Sequence, residues 1–150
     1  HFKQKLRSLL NKINLSPVAF EVFETVKKST RWNTFPCIVK PVDSHGQRGL
    51  TLVKSPERLK KAVKEAMTYS KNAKVIVEEY LEGIEMSANV IVQQGNIVFN
   101  EFTERLVHSL PHIGLAYGHR IPVRNVSSVE IEKASEIIQK LISINLFSTF

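Results

Sequence analysis

Residues 37–53 constrain the fold more than any other stretch: two β-rich runs, CIVKPV and GLTLV, flank the polar loop DSHGQR. The first run carries Lys40 in its middle. A buried ammonium without a partner is costly, so such a lysine is normally paired or supplied with an anion. The loop beyond it offers Gly46, Gly49, the Ser44 hydroxyl and Arg48. Glycines let backbone amides approach a phosphate closely, while Arg and Lys balance its charge. This is not a P-loop, because the GxxxxGK[ST] pattern is absent and a strand rather than a helix follows. The same residues also fit an edge-strand lysine that snorkels to water beside a plain hairpin turn.

Around this pair the pattern alternates between helix and strand. Phe2, Leu6, Leu9, Leu10 and Ile13 recur at helical spacing, and Pro17 ends the segment. VAFEVF reads as a short strand, and ETVKKSTRWN is ambiguous. Ser55 and Pro56 open a helix whose apolar stripe is Leu59, Ala62, Val63, Ala66 and Met67. KVIVEEYL returns to strand. EMSANVIV and NIVFNEFTE form a hairpin through QQGN, with Gly95 free to take positive φ. A loop spans Arg105 to about Tyr117. The last helix opens with Ser127 and Glu130 in capping-box spacing and buries Ile131, Ala134, Ile138, Leu141 and Ile142. The mixture predicts an α+β fold of antiparallel sheets packed with helices.

Composition narrows the partners. The chain of 150 residues carries a formal charge of +7, which suits an anionic ligand. Nucleic acid is disfavoured: the basic residues are dispersed, and the pairs Lys27-Lys28 and Lys60-Lys61 lack interleaved aromatics that could stack on bases. No apolar run reaches the roughly 20 residues of a membrane helix. No signal-peptide pattern is visible, and the single Cys37 cannot form an internal disulfide, so the expected setting is reducing and cytoplasmic. The absence of an initiator methionine and the apolar ending LISINLFSTF make the chain read as a piece of something longer.

A second feature is VIVEEYLEGIE, residues 75–85. A strand ending in Glu78, Glu79, Tyr80 and Leu81 frees backbone groups as it leaves its sheet. Such an end can pair with an adenine edge, and a carboxylate a few residues on can accept ribose hydroxyls. By itself it also fits a solvated strand end with a turn at Gly83.

In combination, the strand lysine, the glycine-basic loop, the following strand, the amphipathic helix and VEEYLEGIE resemble the ATP-grasp family. Its relatives include carbamoyl phosphate synthetase large chains, biotin carboxylases and amino-acid ligases. The resemblance implies an ATP-grasp fold in which residues 1–84 form the small nucleotide-binding lobe with its opening helix, and residues 85–150 begin the large lobe. It implies that Lys40 contacts the α- or β-phosphate of ATP, that residues 43–49 (with Ser44, His45, Gly46, Arg48 and Gly49) cover the phosphates, and that Glu78, Glu79 and Leu81 frame the adenine, largely through the main chain of Glu79 and Leu81. Glu85 would hold the ribose. Lys3, in the KQKLR stretch that matches the family's KxxxR, would be a second phosphate-side cation. Arg105 would face the γ-phosphate, and His119 or Arg120, before IPV, would face a carboxylate substrate.

The implied activity is that of an ATP-binding fragment of a carboxylate–amine (or thiol) ligase, forming carbon–nitrogen bonds through an acyl phosphate with ATP and Mg2+. The fragment alone is expected to be inactive. Relatives carry their magnesium ligands on later strands, so those ligands are expected beyond residue 150. The loop DSHGQRG departs from biotin-carboxylase-like loops in being poorer in glycine. Two other readings stay open: a nucleotide-binding module that never catalyses, and a basic nucleic-acid-binding domain. His108 and His112 have spacing that suits a metal only on a helix, which Pro111 argues against. Cys37 reads as an inert core residue.

Overall fold

The computed structural model describes residues 2–108 and 114–144. The chain divides into two compact units, His1–Glu82 and Gly83–Phe150. The first contains α1 (Phe2–Lys12), β1 (Phe20–Phe23), α2 (Val26–Ser29), β2 (Cys37–Pro41), β3 (Thr51–Val53), α3 (Pro56–Thr68) and β4 (Val75–Glu79). The second contains β5 (Met86–Gln93), β6 (Asn96–Val107), β7 (Ala116–Arg120) and α4 (Ser128–Ser143). The α+β expectation holds, with every strand pairing antiparallel.

In the first unit the sheet order is β1-β4-β2-β3. Strand alternation then sorts its side chains. Cys37, Val39, Val53, Val75, Val77 and Phe23 point to one face and pack with Leu59, Ala62, Val63 and Ala66 of α3 into the buried core, joined by Trp32. Lys40 and Glu78 therefore point to the opposite face. The ambiguous segment 24–33 resolves as a one-turn helix whose Thr25 hydroxyl accepts the Lys28 N–H at 3.3 Å. Ser55 stands at the start of α3, but its hydroxyl makes no capping bond.

The β5–β6 hairpin forms through Gln94 and Gly95, both at positive φ (51° and 79°). Two consecutive positive φ values are what the favoured two-residue turn demands. The expected loop from Arg105 is shorter than the sequence suggested. β6 continues through Val107 because β7 pairs along it, with Arg105 opposite His119 and Leu106 opposite Gly118. That partner strand lies beyond the range of local pattern. Ser127 and Glu130 form the full capping box, and Ile142 is the most buried residue of the α4 stripe. No helix among the described residues is long and apolar enough to cross a membrane.

Candidate functional site

Lys40 sits on β2, an interior strand, so the edge-strand reading of this lysine is overturned. Register places it beside Ile76, and Glu78 beside Ile38, so the two charged residues are diagonal neighbours on the face opposite α3. The Lys40 ammonium pairs with Glu78 Oε2. Arg7 of α1 donates from Nε to Glu78 Oε1 at 2.8 Å, and its Nη1 donates to Ser16 Oγ at 3.2 Å. Glu78 is 4% exposed. Burial, its strongest influence, raises the carboxyl's pKa, but Lys40 and Arg7 together outweigh burial and leave it below the ordinary carboxylate value.

Lys3 completes the cluster from α1. Its ammonium donates to the carbonyls of Pro41 (3.1 Å) and Ser44 (2.6 Å), at the foot of the glycine-basic loop. Burial pulls the Lys3 pKa below its ordinary value, and the Lys40 charge acts the same way; Glu78 and Asp43 pull it back up. Three cations thus gather around one buried carboxylate, leaving an excess of positive charge on this face. The excess extends to the whole unit. Residues 1–82 hold 16 Lys and Arg against 8 Asp and Glu, whereas residues 83–150 hold 5 against 6.

The loop that follows β2 is tethered at its base and open at its tip. Asp43 Oδ2 accepts from the Asn72 backbone N–H (3.3 Å) and side-chain amide (3.1 Å). His45, Gly46 and Arg48 are exposed, and Ser44 is half-buried. The two glycines differ. At Gly46 (φ +66°) an added Cβ would meet nothing, whereas at Gly49 (φ +71°) it would lie 2.8 Å from Tyr69 Cδ2 and 3.1 Å from Pro41 Cγ. Gly49 lets the loop close on its own scaffold.

One residue beyond Glu78 the strand leaves the sheet. The Glu79 N–H donates to Ala19 O (2.9 Å), and the Tyr80 N–H donates in the other direction to Pro36 O (3.0 Å). Ala19 returns its N–H to the Glu79 carboxylate (Oε2, 3.3 Å) and not to the Glu79 carbonyl. By alternation, the main-chain groups of residues 79 and 81 face the same way. Among the described residues neither the Glu79 carbonyl nor the Leu81 N–H has a hydrogen-bond partner. An acceptor and a donor two residues apart on one edge match the hydrogen-bonding edge of a purine.

In the second unit, Glu85 just before β5, Arg105 on β6 and His119 on β7 form one row. Arg105 donates to Glu85 Oε2 from Nη1 (2.9 Å) and to Gly114 O from Nη2 (3.2 Å), and its N–H donates to Glu85 O (2.8 Å). His119 stands opposite Arg105, with Nδ1 3.2 Å from the hydroxyl of buried Thr103. Arg120 points to the reverse face and bonds Glu104, both oxygens at 3.3 Å. The structure therefore separates His119 from Arg120: only the histidine shares a face with Arg105.

Sequence reading assigned no role to Arg7 or Thr103. Arg7 lies one helical turn from Lys3, and that i, i+4 spacing is the signal that could have found it. Thr103 gave none, because its pairing depends on β7. His108 stacks at a tilt on Tyr117, with ring centroids 4.9 Å apart, while His112 lies outside the described residues. Among the described residues no three His, Cys, Asp or Glu side chains gather in a way that could hold a metal ion.

Comparison with known proteins gives a consistent assignment. The family model D-ala D-ala ligase C-terminus matches residues 11–142. The chain is 38% identical over 63 residues to a D-alanine–D-alanine ligase of Aquifex aeolicus, covering 42% of the chain and 21% of that protein. It is 22% identical over 143 residues to the mitochondrial arginine-specific carbamoyl phosphate synthase large chain of Neurospora crassa, covering 93% of the chain and 12% of that protein. A D-Ala:D-Ser ligase from Enterococcus faecalis superposes with a TM-score of 0.73 at 22% identity, over 93% of the chain and 44% of its own. The chain thus spans between about an eighth and a fifth of the length of these two curated relatives. With the ligase model covering most of its length, the chain belongs to the D-alanine–D-alanine ligase C-terminal family of ATP-grasp proteins.

Proposed function

We propose that this chain is the nucleotide-binding part of an ATP-dependent ligase that joins a carboxylate to an amine or thiol through an acyl phosphate. Residues 1–84 act as the small lobe and residues 85–150 as the beginning of the large one. One observation carries the reading: the cationic cluster of Lys3, Arg7 and Lys40 surrounds Glu78, the residue immediately before the strand exit that leaves the Glu79 carbonyl and Leu81 N–H available.

ATP, when bound, supplies the phosphoryl group that activates the carboxylate. The chain's own residues bind and orient it. Lys40 and Lys3 neutralise charge on the phosphates, where fixed cations lower the energy of the transferring phosphoryl group. Ser44, His45, Gly46, Arg48 and Gly49 form the cover that excludes water, with Lys3 at its foot. Glu79 and Leu81 read the adenine through the main chain, Glu85 holds the ribose, and Arg105 with His119 meets the γ-phosphate and carboxylate. Glu78 serves the site by holding Lys40. Magnesium is the other cofactor the family implies. Among the described residues no three His, Cys, Asp or Glu side chains gather to hold it, and no step here runs through it.

The test is equilibrium ATP binding by Lys40→Ala and Lys61→Ala, the latter on the exposed side of α3. Lys40→Ala is expected to weaken binding by at least about tenfold and Lys61→Ala to leave it unchanged. Equal effects would reduce Lys40 to a generic surface charge and overturn the assignment.

A further inference from the structure

We infer that Arg7 is a positioning residue for Lys40, acting through Glu78 and keeping the ammonium available to an anion. This rests on the nucleotide-binding reading and goes beyond it, since the KxxxR pattern gave a role to Lys3 alone. Glu78 has two oxygens and each is taken by a different cation: Oε1 by Arg7 and Oε2 by Lys40. The carboxylate is nearly sealed from water, so the interaction is little screened. Arg7 is fixed in turn by Ser16 on its other side. The chain of contacts runs Ser16, Arg7, Glu78, Lys40, from the opening helix to an interior strand.

The charge count explains why two cations are needed. A lone Lys40–Glu78 pair would be neutral, and its ammonium would be held by the full carboxylate charge. A phosphate would then have to pull Lys40 away from its only partner. With Arg7 on the other oxygen the trio carries a net positive charge, and the hold on Lys40 is divided. Arginine suits the task because its guanidinium stays charged and its planar donors fix the carboxylate's orientation. Arg7 thus acts at a distance from the ligand, through the electrostatics of Glu78.

The experiment uses the full 150-residue chain with Arg7→Gln, Arg7→Lys, Lys40→Met and the Arg7→Gln/Lys40→Met double variant. ATP and inorganic tripolyphosphate are titrated calorimetrically, and the Glu78 side-chain carboxyl is titrated by carbon NMR. Arg7→Gln is expected to weaken both ligands roughly tenfold, and Arg7→Lys to recover part of the loss. In the Lys40→Met background Arg7→Gln is expected to add nothing, because its influence passes through Lys40. Additive losses would mean that Arg7 meets the ligand directly and would overturn the inference. An Arg7→Gln variant that binds normally while Lys40→Met does not would overturn it too. If Lys40→Met binds ATP as the wild type does, the nucleotide reading fails. The NMR measurement judges the relay independently of any ligand. The Glu78 titration moves up in Arg7→Gln if the relay exists, and a titration indifferent to Arg7 overturns it.

Discussion

Arg105 on β6 and His119 on β7 are register partners, so their side chains emerge on the same face of the second sheet, while Arg120 emerges on the other. Thr103 beneath His119 and Glu85 beside Arg105 orient the two. On the ligase activity proposed above, Arg105→Ala in the whole protein is expected to lower kcat/KM about 100-fold, the scale of losing one donor to a developing charge. His119→Ala should act in the same direction. Arg120→Ala should leave kcat/KM unchanged and cost at most about 1 kcal/mol of stability, since its pair with Glu104 is partly solvated. A comparable kinetic loss for Arg120→Ala would contradict the face assignment.

Glu78 is expected to make the stability of the first unit sensitive to acid. Its folded pKa lies below the ordinary 4.5 because Lys40 and Arg7 overcome the opposing effect of burial. A carboxyl with a depressed folded value contributes its full stability above the unfolded pKa and loses it as pH falls through the folded value. Glu78→Gln should therefore be less stable than wild type by about 3–5 kcal/mol at neutral pH, as expected for breaking a buried pair. The gap should narrow as pH drops below 4.5. Urea unfolding at several pH values measures this, and a gap independent of pH would remove Glu78 from the account.

Much of this arrangement could be read before any coordinates. Strands around Lys40, the α3 stripe and the Ser127 capping box are written in local periodicity and cap chemistry, and each formed where expected. Non-local information was harder to read. β7 is five residues of unremarkable pattern, AYGHR, and becomes a strand because β6 offers it an edge. The same gap hid which neighbour His119 would share. For Glu78, sequence shows the strand exit but not the diagonal contact that pairs its carboxylate with Lys40, nor the one with Arg7.

The loop glycines should respond differently to substitution. Both have φ near +70°, so Ala at either position bears a left-handed penalty of about 1–2 kcal/mol. Gly49→Ala must in addition push back Tyr69 and Pro41. It should lose a further 1 kcal/mol or so, in the range for overpacking. Denaturant unfolding of the two variants gives the comparison; equal losses would mean that Tyr69 swings aside freely.

Helix capping offers a similar contrast within the chain. The Ser127 hydroxyl accepts the Glu130 N–H at 3.3 Å, and the Glu130 carboxylate accepts the Ser127 N–H at 2.7 Å. Ser127→Ala should therefore cost about 1 kcal/mol. Ser55→Ala should cost only about 0.3 kcal/mol, because the Ser55 hydroxyl makes no capping bond. The prediction fails if the two substitutions prove equal in urea titrations.

Cys37 provides a probe of how the first unit opens. Its side chain is wholly buried in the α3-facing core, and burial pushes the thiol up to about 11. Thiol reagents attack the thiolate, which is scarce in the native protein both because access is closed and because the proton is held tightly. The native chain should therefore resist a disulfide reagent at neutral pH. Added denaturant should raise the labelling rate in step with loss of α3 helicity, because Cys37 is covered by Leu59, Ala62, Val63 and Ala66. Cys37 is the chain's only cysteine, so the signal needs no deconvolution. Rapid labelling under native conditions, with helicity intact, would show that β2 and α3 separate without unfolding, and the interior strand could not then hold Lys40 in a fixed place.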